Sequence, residues 1–478
     1  MPKYEANLVV IGAGSGGLVS ALIAAAVKSK VILIERHKMG GDCLNTGCVP
    51  SKALLRSAKI ASYMHRAEEF GIESVPVKPI FSKVMKRVHK VIETIEPHDS
   101  IERFTSLGVE CVTGEAEIVD PHTVQVGDRM ITTKSIIIAA GARPFVPPIE
   151  GIEKIKYLTS DNVWELQELP RRLVVLGGGP IGCELSQAFA KLGSQVTTVE
   201  MMGQLMGRED QDVAEVITKR FESDGIRVLT NHKAVRFTVE NGENILHCES
   251  QSGPIEVPFD EVLVAVGRKA NSDEMKLKEL GIKLRRNGTI ETDEYLRTAV
   301  PNIFACGDIT GPYQFTHTAS HQAWFATVNA LFGFAKKFKV DYRVIPWATF
   351  TMPEVARVGI NENEAKEKGL DYEVTRYGID DLDRAIADGE AHGFVKVITP
   401  KGKDKVLGVT IVGHHAGELI AEYVLAMKYN LGLNKILGTI HLYPSLAESN
   451  KFVAGNWKRE HQPHGVLKWV ERLHNWRR

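Results

Sequence analysis

Cysteine is scarce in this sequence: six residues among 478, and none after Cys306. That excludes a small secreted fold stapled by disulfides and points to a reducing compartment, the cytoplasm. Neither sign of charge is in excess, since Lys plus Arg and Asp plus Glu both number 59. A nucleic-acid binder needs a basic surplus to pair with phosphate, and overall there is none. Long uninterrupted apolar runs are missing too. The nearest, residues 7–27, is uncharged and about long enough for a bilayer span, and its small-residue end resembles that of a signal peptide. Glycines at 12, 14, 16 and 17 interrupt it, only Lys3 precedes it with a positive charge, and the strand-like VILIE follows after Lys28-Ser29-Lys30. A strand, a glycine turn, a helix and a second strand account for it better.

What is present is a repeat. At this length about three domains are expected. NLVVIGAGSGGLVSALIAAAVKSKVILIE (7–35) matches LVVLGGGPIGCELSQAFAKLGSQVTTVE (173–200) position for position from Leu8 onward. Gly12, Gly14 and Gly17 map onto Gly177, Gly179 and Gly182, and Glu35 maps onto Glu200. Each copy reads as strand, G-x-G-x-x-G turn, helix, and a second strand ending in an acid, the dinucleotide-binding fingerprint. The first glycine permits the tight turn and the second lets backbone approach a pyrophosphate. The third allows close helix–strand packing. The helix N-terminus offers free N–H groups to phosphate, and the acid accepts from a ribose hydroxyl. One such motif is weak evidence; two with matching flanks are strong.

Each copy has a distant second half. SIIIAAGARP (135–144) and DEVLVAVGRKAN (260–271) are apolar strands ending at Gly141 and Gly267. The interval from Gly12 to Gly141 is longer than that from Gly177 to Gly267, so the first copy carries an insertion. TAVPNIFACGDITG (298–311) is a further apolar strand, closed by Gly307 and Asp308. From about residue 341 strand-like and helical stretches without a fingerprint predict an α+β domain. The expected fold is α/β: two Rossmann-like dinucleotide-binding domains and a C-terminal α+β domain. Domain boundaries are expected at 1–149 with 270–340, 150–269, 341–460, and a basic amphipathic tail at 461–478.

The insertion holds GGDCLNTGCVPSKALL (40–55), with Cys43 and Cys48 five positions apart. In an ideal α-helix that spacing separates Cα atoms by roughly 8–9 Å, whereas a disulfide needs less than about 7 Å. If the two bond, Leu-Asn-Thr-Gly must wind more tightly than a regular helix, with Gly47 permitting it. A helix is predicted to continue through SKALLRSAKIASYMHR. Its N-terminal dipole favours thiolate, as a redox thiol requires. The alternatives are inert buried thiols or half of a zinc site. Zinc would want two more ligands, none obvious nearby, and no metal site is expected.

The order of first fingerprint, G-G-x-C-x-x-x-G-C-x-P-S-K, second fingerprint and Gly-Asp strand resembles the class I pyridine nucleotide-disulfide oxidoreductases over residues 5–455. That family includes dihydrolipoamide dehydrogenase, glutathione reductase and mercuric reductase. The resemblance implies a homodimer that binds FAD at the first fingerprint and NAD(P)H at the second. It implies that Asp308 meets the flavin ribityl chain and that Cys48 is the flavin-side thiol. Cys43 would be the interchange thiol, and Lys52 would lie near the flavin with Glu184 as its ion-pair partner. His317 falls in the segment beside the flavin; a packed histidine at a helix start is the plainer reading.

The chain also departs from its relatives. Members that reduce disulfides carry H-P-T-x-x-E, whose His is general acid–base for the interchange thiol and whose Glu orients it, both supplied across the dimer. Here the segment reads His441-Leu442-Tyr443-Pro444-Ser445-Leu446-Ala447-Glu448. Counting back from Glu448 places Tyr443 at the His position, and a phenol of pKa about 10 is a poor base near neutrality. His441, displaced from it by roughly 7 Å along an extended chain, is the candidate substitute. Tyr with Glu retained resembles mercuric reductase, but that enzyme's C-terminal cysteine pair is missing. The acceptor is therefore left as a disulfide, another small molecule such as a quinone, or a metal ion.

Glu200 favours NADH over NADPH by accepting from a free 2′-hydroxyl, with Arg208 as the residue that could bind a phosphate instead. The tail 465–478 sets Val466, Trp469, Val470, Leu473 and Trp476 on one helical face, with Lys468, Arg472, Arg477 and Arg478 supplying positive charge. Such a stripe packs on its own protein or lies on a membrane surface. Three roles are open to the chain: a soluble enzyme, a membrane-docked electron-transfer component, or a redox sensor.

Overall fold

In the parallel core of the first nucleotide-binding region, residues 8–11, 31–34 and 136–138 are continuous β-branched and leucine runs, as strands covered on both faces require. They alternate between two cores. Val9, Ile11, Ile32, Ile34, Ile136 and Ile138 face one, while Leu8, Val10, Val31, Leu33 and Ile137 face the other. In this computed structural model, which describes residues 4–73, 78–273 and 275–478, the chain divides into two compact units. One comprises residues 1–68, 73–203 and 224–341, and the other 69–72, 204–223 and 342–478.

The first unit contains two sheets of the same design. Strand β1 (Ala6–Ile11), helix α1 (Ser15–Ala26) and strand β2 (Val31–Glu35) form the first fingerprint. β1 pairs in parallel with β2 on one side and with strand Arg129–Ile138 on the other. Strand Val109–Thr113 joins β2, and Ile303–Ala305 joins Arg129–Ile138, both in parallel. In the second sheet, strand Arg172–Leu176 lies between Gln195–Val199 and Glu261–Val264, with Arg227–Leu229 outermost, all parallel. Both sheets thus place their fingerprint turn at the carboxyl end of a central strand, where open α/β sheets bind ligands. An antiparallel sheet of strands 233–240, 243–250 and 253–259 adjoins the second.

The second unit is built on a five-stranded antiparallel sheet in the order 346–349, 354–359, 408–413, 394–400, 372–378. The segment 204–223 lies within this unit. Lys396, whose side chain is buried, donates to Asp210 at 2.8 Å and to Asp212 and Glu362 at 2.8 and 2.9 Å. A buried ammonium needs such partners, and two of them come from that segment.

After the sheet come helices Glu448–Glu460 and His464–Arg477. The latter is the helical tail; none of its side chains is fully buried, and Val470 and Leu473 are half-buried. Among the described residues no helix is long and apolar enough to cross a membrane. The apolar run of residues 7–27 is instead β1 and α1, buried in the first unit.

Candidate active site

Both fingerprints close on themselves through their acids. Glu35 accepts from the backbone N–H of Ala13 at 2.7 Å and of His37 at 2.8 Å. Glu200 accepts from Gly178 at 2.6 Å and Met202 at 2.7 Å. The repeat therefore holds for the hydrogen bonds as well as for the residues. Gly12 and Gly177 have φ of 98° and 105°, and a Cβ at either would lie 2.5 Å from the carbonyl oxygen of Ala139 or Ala265. A Cβ on Gly17 or Gly182 would lie 1.7 or 1.9 Å from the carbonyl oxygen of Gly12 or Gly177. Only glycine fits these positions. Gly141 and Gly267 both take positive φ, 66° and 140°, where the chain leaves the fourth strand of each sheet.

The cysteine segment folds back over the first fingerprint. Gly40 N–H donates to Ala13 C=O at 2.9 Å, and a Cβ on Gly41 would lie 2.7 Å from Gly14 Cα. The segment is not the single overwound helix expected from its spacing. Cys43 lies in a short helix, α2 (Gly41–Asn45), and Cys48 is the first residue of a second, α3 (Cys48–His65). Gly47 separates them at φ −116° and ψ −105°. What makes it glycine is room: a Cβ there would stand 3.0 Å from the carbonyl oxygen of Asp42. Trp164 clamps the connection by donating its indole N–H to the Thr46 carbonyl at 2.9 Å.

The two thiols meet through a hydrogen bond. Cys43 donates to Cys48, and this lowers the Cys48 thiol to about 5. The Thr316 hydroxyl, 3.5 Å from Cys48 Sγ, and the Lys52 charge act in the same direction, while burial opposes them. Cys43 is pushed the other way, first because its proton is held by Cys48 and then by burial. Cys48 is exposed and Cys43 half-buried.

One turn along α3, Lys52 Nζ donates to Glu184 Oε2 at 2.8 Å, and the Glu184 side chain is buried. Arg268 forms an ion pair with Asp42, immediately before Cys43, and donates to the Ala142 carbonyl at 2.6 Å. Its Nε is buried without a hydrogen-bond partner, 3.7 Å from Asp308. Burial raises the Asp308 carboxyl to about 6, with the Asp42 and Cys48 charges adding and Arg268 opposing.

Thr316 had no signal in the sequence, being 268 residues from Cys48. It opens helix Thr316–Phe332. His317 comes next, exposed, its ring stacked on Phe315 at 5.3 Å.

The remaining predicted residues lie in the second unit. Tyr443 is 65% exposed, and its hydroxyl donates to Asp383 Oδ2 at 3.0 Å. That hydrogen bond and the neighbouring carboxylate raise its pKa, so the phenol stays neutral. His441 does not stand free beside it. Its side chain is 5% exposed, with Nε2 on Glu422 at 2.9 Å and Nδ1 on the Thr439 carbonyl at 3.0 Å. Glu448, buried, accepts from Ser445 N–H at 3.4 Å and orients neither ring. No cluster of three or more His, Cys, Asp or Glu able to hold a metal is present among the described residues.

A fingerprint turn with a free helix end, a half-buried dithiol folded over it, and a second fingerprint in the same unit define a dinucleotide-dependent disulfide oxidoreductase. Residues 6–323 match the pyridine nucleotide-disulphide oxidoreductase family and residues 345–453 its dimerisation domain; the chain belongs to that family. It is 36% identical over 450 residues to a dihydrolipoyl dehydrogenase of Chlamydia muridarum, covering 92% of this chain and 94% of that one. It is 33% identical over 448 residues to a mercuric reductase of Staphylococcus aureus, covering 94% and 82%. The Cu(II) complex of the HOCl-induced flavoprotein disulfide reductase RclA from Escherichia coli superposes with a TM-score of 0.84 at 27% identity, over 95% of this chain and 99% of that one.

The protein is thus an FAD-containing enzyme that uses NAD(P)H, and its dimerisation domain supports a homodimer. Ile440 and Leu442, 96% and 77% exposed, give that domain an uncovered apolar edge. The first fingerprint fits the flavin nucleotide. Its helix end has no side-chain cap, its Gly12 and Gly17 leave no room for a Cβ, and the orphaned Arg268 Nε lies beside Asp308.

Proposed function

We propose that this enzyme passes electrons from NADH through FAD and the Cys43–Cys48 pair to a thiophilic metal ion, and that it is a poor reducer of disulfides. The observation that carries the reading is the C-terminal segment, where the Tyr443 hydroxyl is given to Asp383 and both ring nitrogens of His441 are engaged. FAD, held by Gly12, Gly14, Gly17, Glu35, Gly141 and Asp308, supplies the two-electron relay between nicotinamide and disulfide. Lys52, fixed by Glu184, places positive charge beside it. The second fingerprint, Gly177, Gly179, Gly182 and Gly267 with Glu200, takes the nicotinamide nucleotide. The Glu200 carboxylate suits the free 2′-hydroxyl of NADH. The domain division read from the sequence, 1–149 with 270–340 for FAD and 150–269 for NADH, belongs to the same proposal.

Two electrons and one proton open the disulfide to a Cys48 thiolate and a Cys43 thiol. Attack on a substrate disulfide would need Cys43 as thiolate. Tyr443, kept neutral by Asp383, is a poor acceptor for that proton, and the ring nitrogens of His441 are turned to Glu422 and the Thr439 carbonyl. A soft metal ion needs no base, because coordination itself displaces the thiol proton. Such an ion prefers thiolate ligands. The named relatives include a mercuric reductase and a Cu(II)-bound reductase, which supports the choice.

Anaerobic NADH titration with subsequent addition of lipoamide, oxidised glutathione, Hg(II), Cu(II) and quinones tests the reading. A positioned base contributes about 10²–10⁴ in rate, so lipoamide turnover should lag by that order and Tyr443→His should recover part of it. Fast lipoamide reduction by the wild type would overturn the choice of acceptor.

A further inference from the structure

The helix His464–Arg477 buries none of its side chains, yet carries a large apolar stripe. Val466 is 56% exposed, Trp469 63% and Trp476 83%, while Val470 and Leu473 between them are half-buried. At about 100° per residue Val466, Trp469, Val470, Leu473 and Trp476 occupy about one third of the helix circumference, with the two tryptophans along one margin. Lys468 and Arg472 lie beyond that margin, on the polar side. Arg477, which at about 100° per residue falls on the stripe's own arc, and Arg478 crowd the last turn, and Glu471 is the one acid between residues 464 and 478. The last turn of the preceding helix carries Lys458 and Arg459 before its final residue, Glu460. An apolar stripe, tryptophans at its border with the polar face and a surplus of basic residues are what an interfacial helix needs: rings at the headgroup level, cations at the lipid phosphates.

We propose that this helix docks the enzyme on an anionic lipid surface. The apolar stripe enters the boundary between headgroups and acyl chains, and Lys468, Arg472, Arg477 and Arg478 pair with lipid phosphate. A second copy of the chain is the competing occupant. In a symmetric pair the same positive residues would face one another and repel, whereas an anionic lipid surface complements them, so the charge here favours lipid. The inference is independent of the electron acceptor proposed above.

The test is co-sedimentation of the full-length, FAD-loaded protein with phosphatidylcholine vesicles, with and without phosphatidylglycerol. Binding is expected only with phosphatidylglycerol, and raised salt should weaken it. Each basic residue near such a surface contributes about fivefold in partitioning, so Lys468→Glu with Arg472→Glu should reduce binding by at least about 25-fold. Trp469→Ser with Trp476→Ser should remove it even at low salt. Equal binding to both vesicle types, or binding indifferent to both double variants, would overturn the proposal. So would a change of oligomeric state in the tryptophan variant without vesicles, which would assign the stripe to a second copy. Anaerobic NADH reduction of both variants should match the wild type. A loss of vesicle binding with normal reduction leaves the electron-transfer reading intact, and the converse leaves the docking intact.

Discussion

The two fingerprints of this enzyme are the same object placed in different company. Their strands, glycine clashes and acid hydrogen bonds correspond pair by pair. They part ways after the second strand. Beyond Glu35 the chain returns over its own glycine turn, so that Gly41 packs on Gly14 and the cysteine pair is delivered to that site. Beyond Glu200 it moves away: Met201 and Met202 are exposed, and a Cβ on Gly179 would meet nothing within 4 Å. One motif thus makes a covered site beside a redox dithiol and an open one. A covered site suits a resident cofactor and an open one suits a nucleotide that must enter and leave each cycle.

The largest effect that would break this comparison is expected from Cys48→Ser. NADH should still reduce the flavin, but the long-wavelength charge-transfer absorbance of the two-electron-reduced wild type should be absent. If the band persists, Cys48 is not the flavin-side thiol. Next come Gly17→Ala and Gly182→Ala, which drive a methyl into the same carbonyl in each copy. The first should yield protein purified with little FAD. The second should retain FAD yet reduce slowly at any NADH concentration. Equal FAD content in both would abolish the distinction between the sites.

A smaller and asymmetric pair is Gly41→Ala against Gly179→Ala. The methyl at 41 meets Gly14 and should lower FAD affinity, whereas that at 179 should leave FAD content unchanged and act only on the KM for NADH.

Thr316→Val should sharpen the account of the first site. The Cys48 thiolate is expected to persist down to about pH 5, its charge-transfer band fading as pH falls through that value. Without the hydroxyl the thiol pKa rises, and the band should fade at a higher pH in an absorbance titration of the reduced enzyme. A shift to lower pH, or none, would remove Thr316 from the site. The smallest effect is expected at Glu200→Ala. Loss of one hydrogen bond to a charged group costs about 1.5–3 kcal/mol, so kcat/KM for NADH should fall and the wild-type preference over NADPH should narrow. A wild type that already prefers NADPH would reverse the assignment.

Much of this was legible because it is local. A positive φ at Gly12 or Gly177, a helix end that must accept phosphate, and an acid that ties the turn are requirements met within one strand–helix–strand unit, and they leave a pattern. The alternating core of β1 and β2 is equally local, since each side chain's face is set by its parity along the strand. The helix break at Gly47 was only half legible: spacing showed that a regular helix would not serve, but not that two helices would meet there.

The remainder depends on packing at long range. Thr316 reaches Cys48 across 268 residues and Arg268 reaches Asp42 across 226, while the Lys52–Glu184 pair, 132 apart, was expected from the family resemblance alone and is present. None belongs to a periodicity, and each is an ordinary polar residue until the sheets bring it in. The same holds for His441 and Tyr443. Two positions apart along the chain, they were candidates for one role, but His441 is consumed by Glu422 and Tyr443 by Asp383. That two dinucleotide sites and one dithiol exist could be read from residue order alone, because backbone geometry demands particular residues at particular spacings. Which proton the dithiol keeps, and which neighbours hold it, depended on groups that only folding could bring within hydrogen-bonding distance.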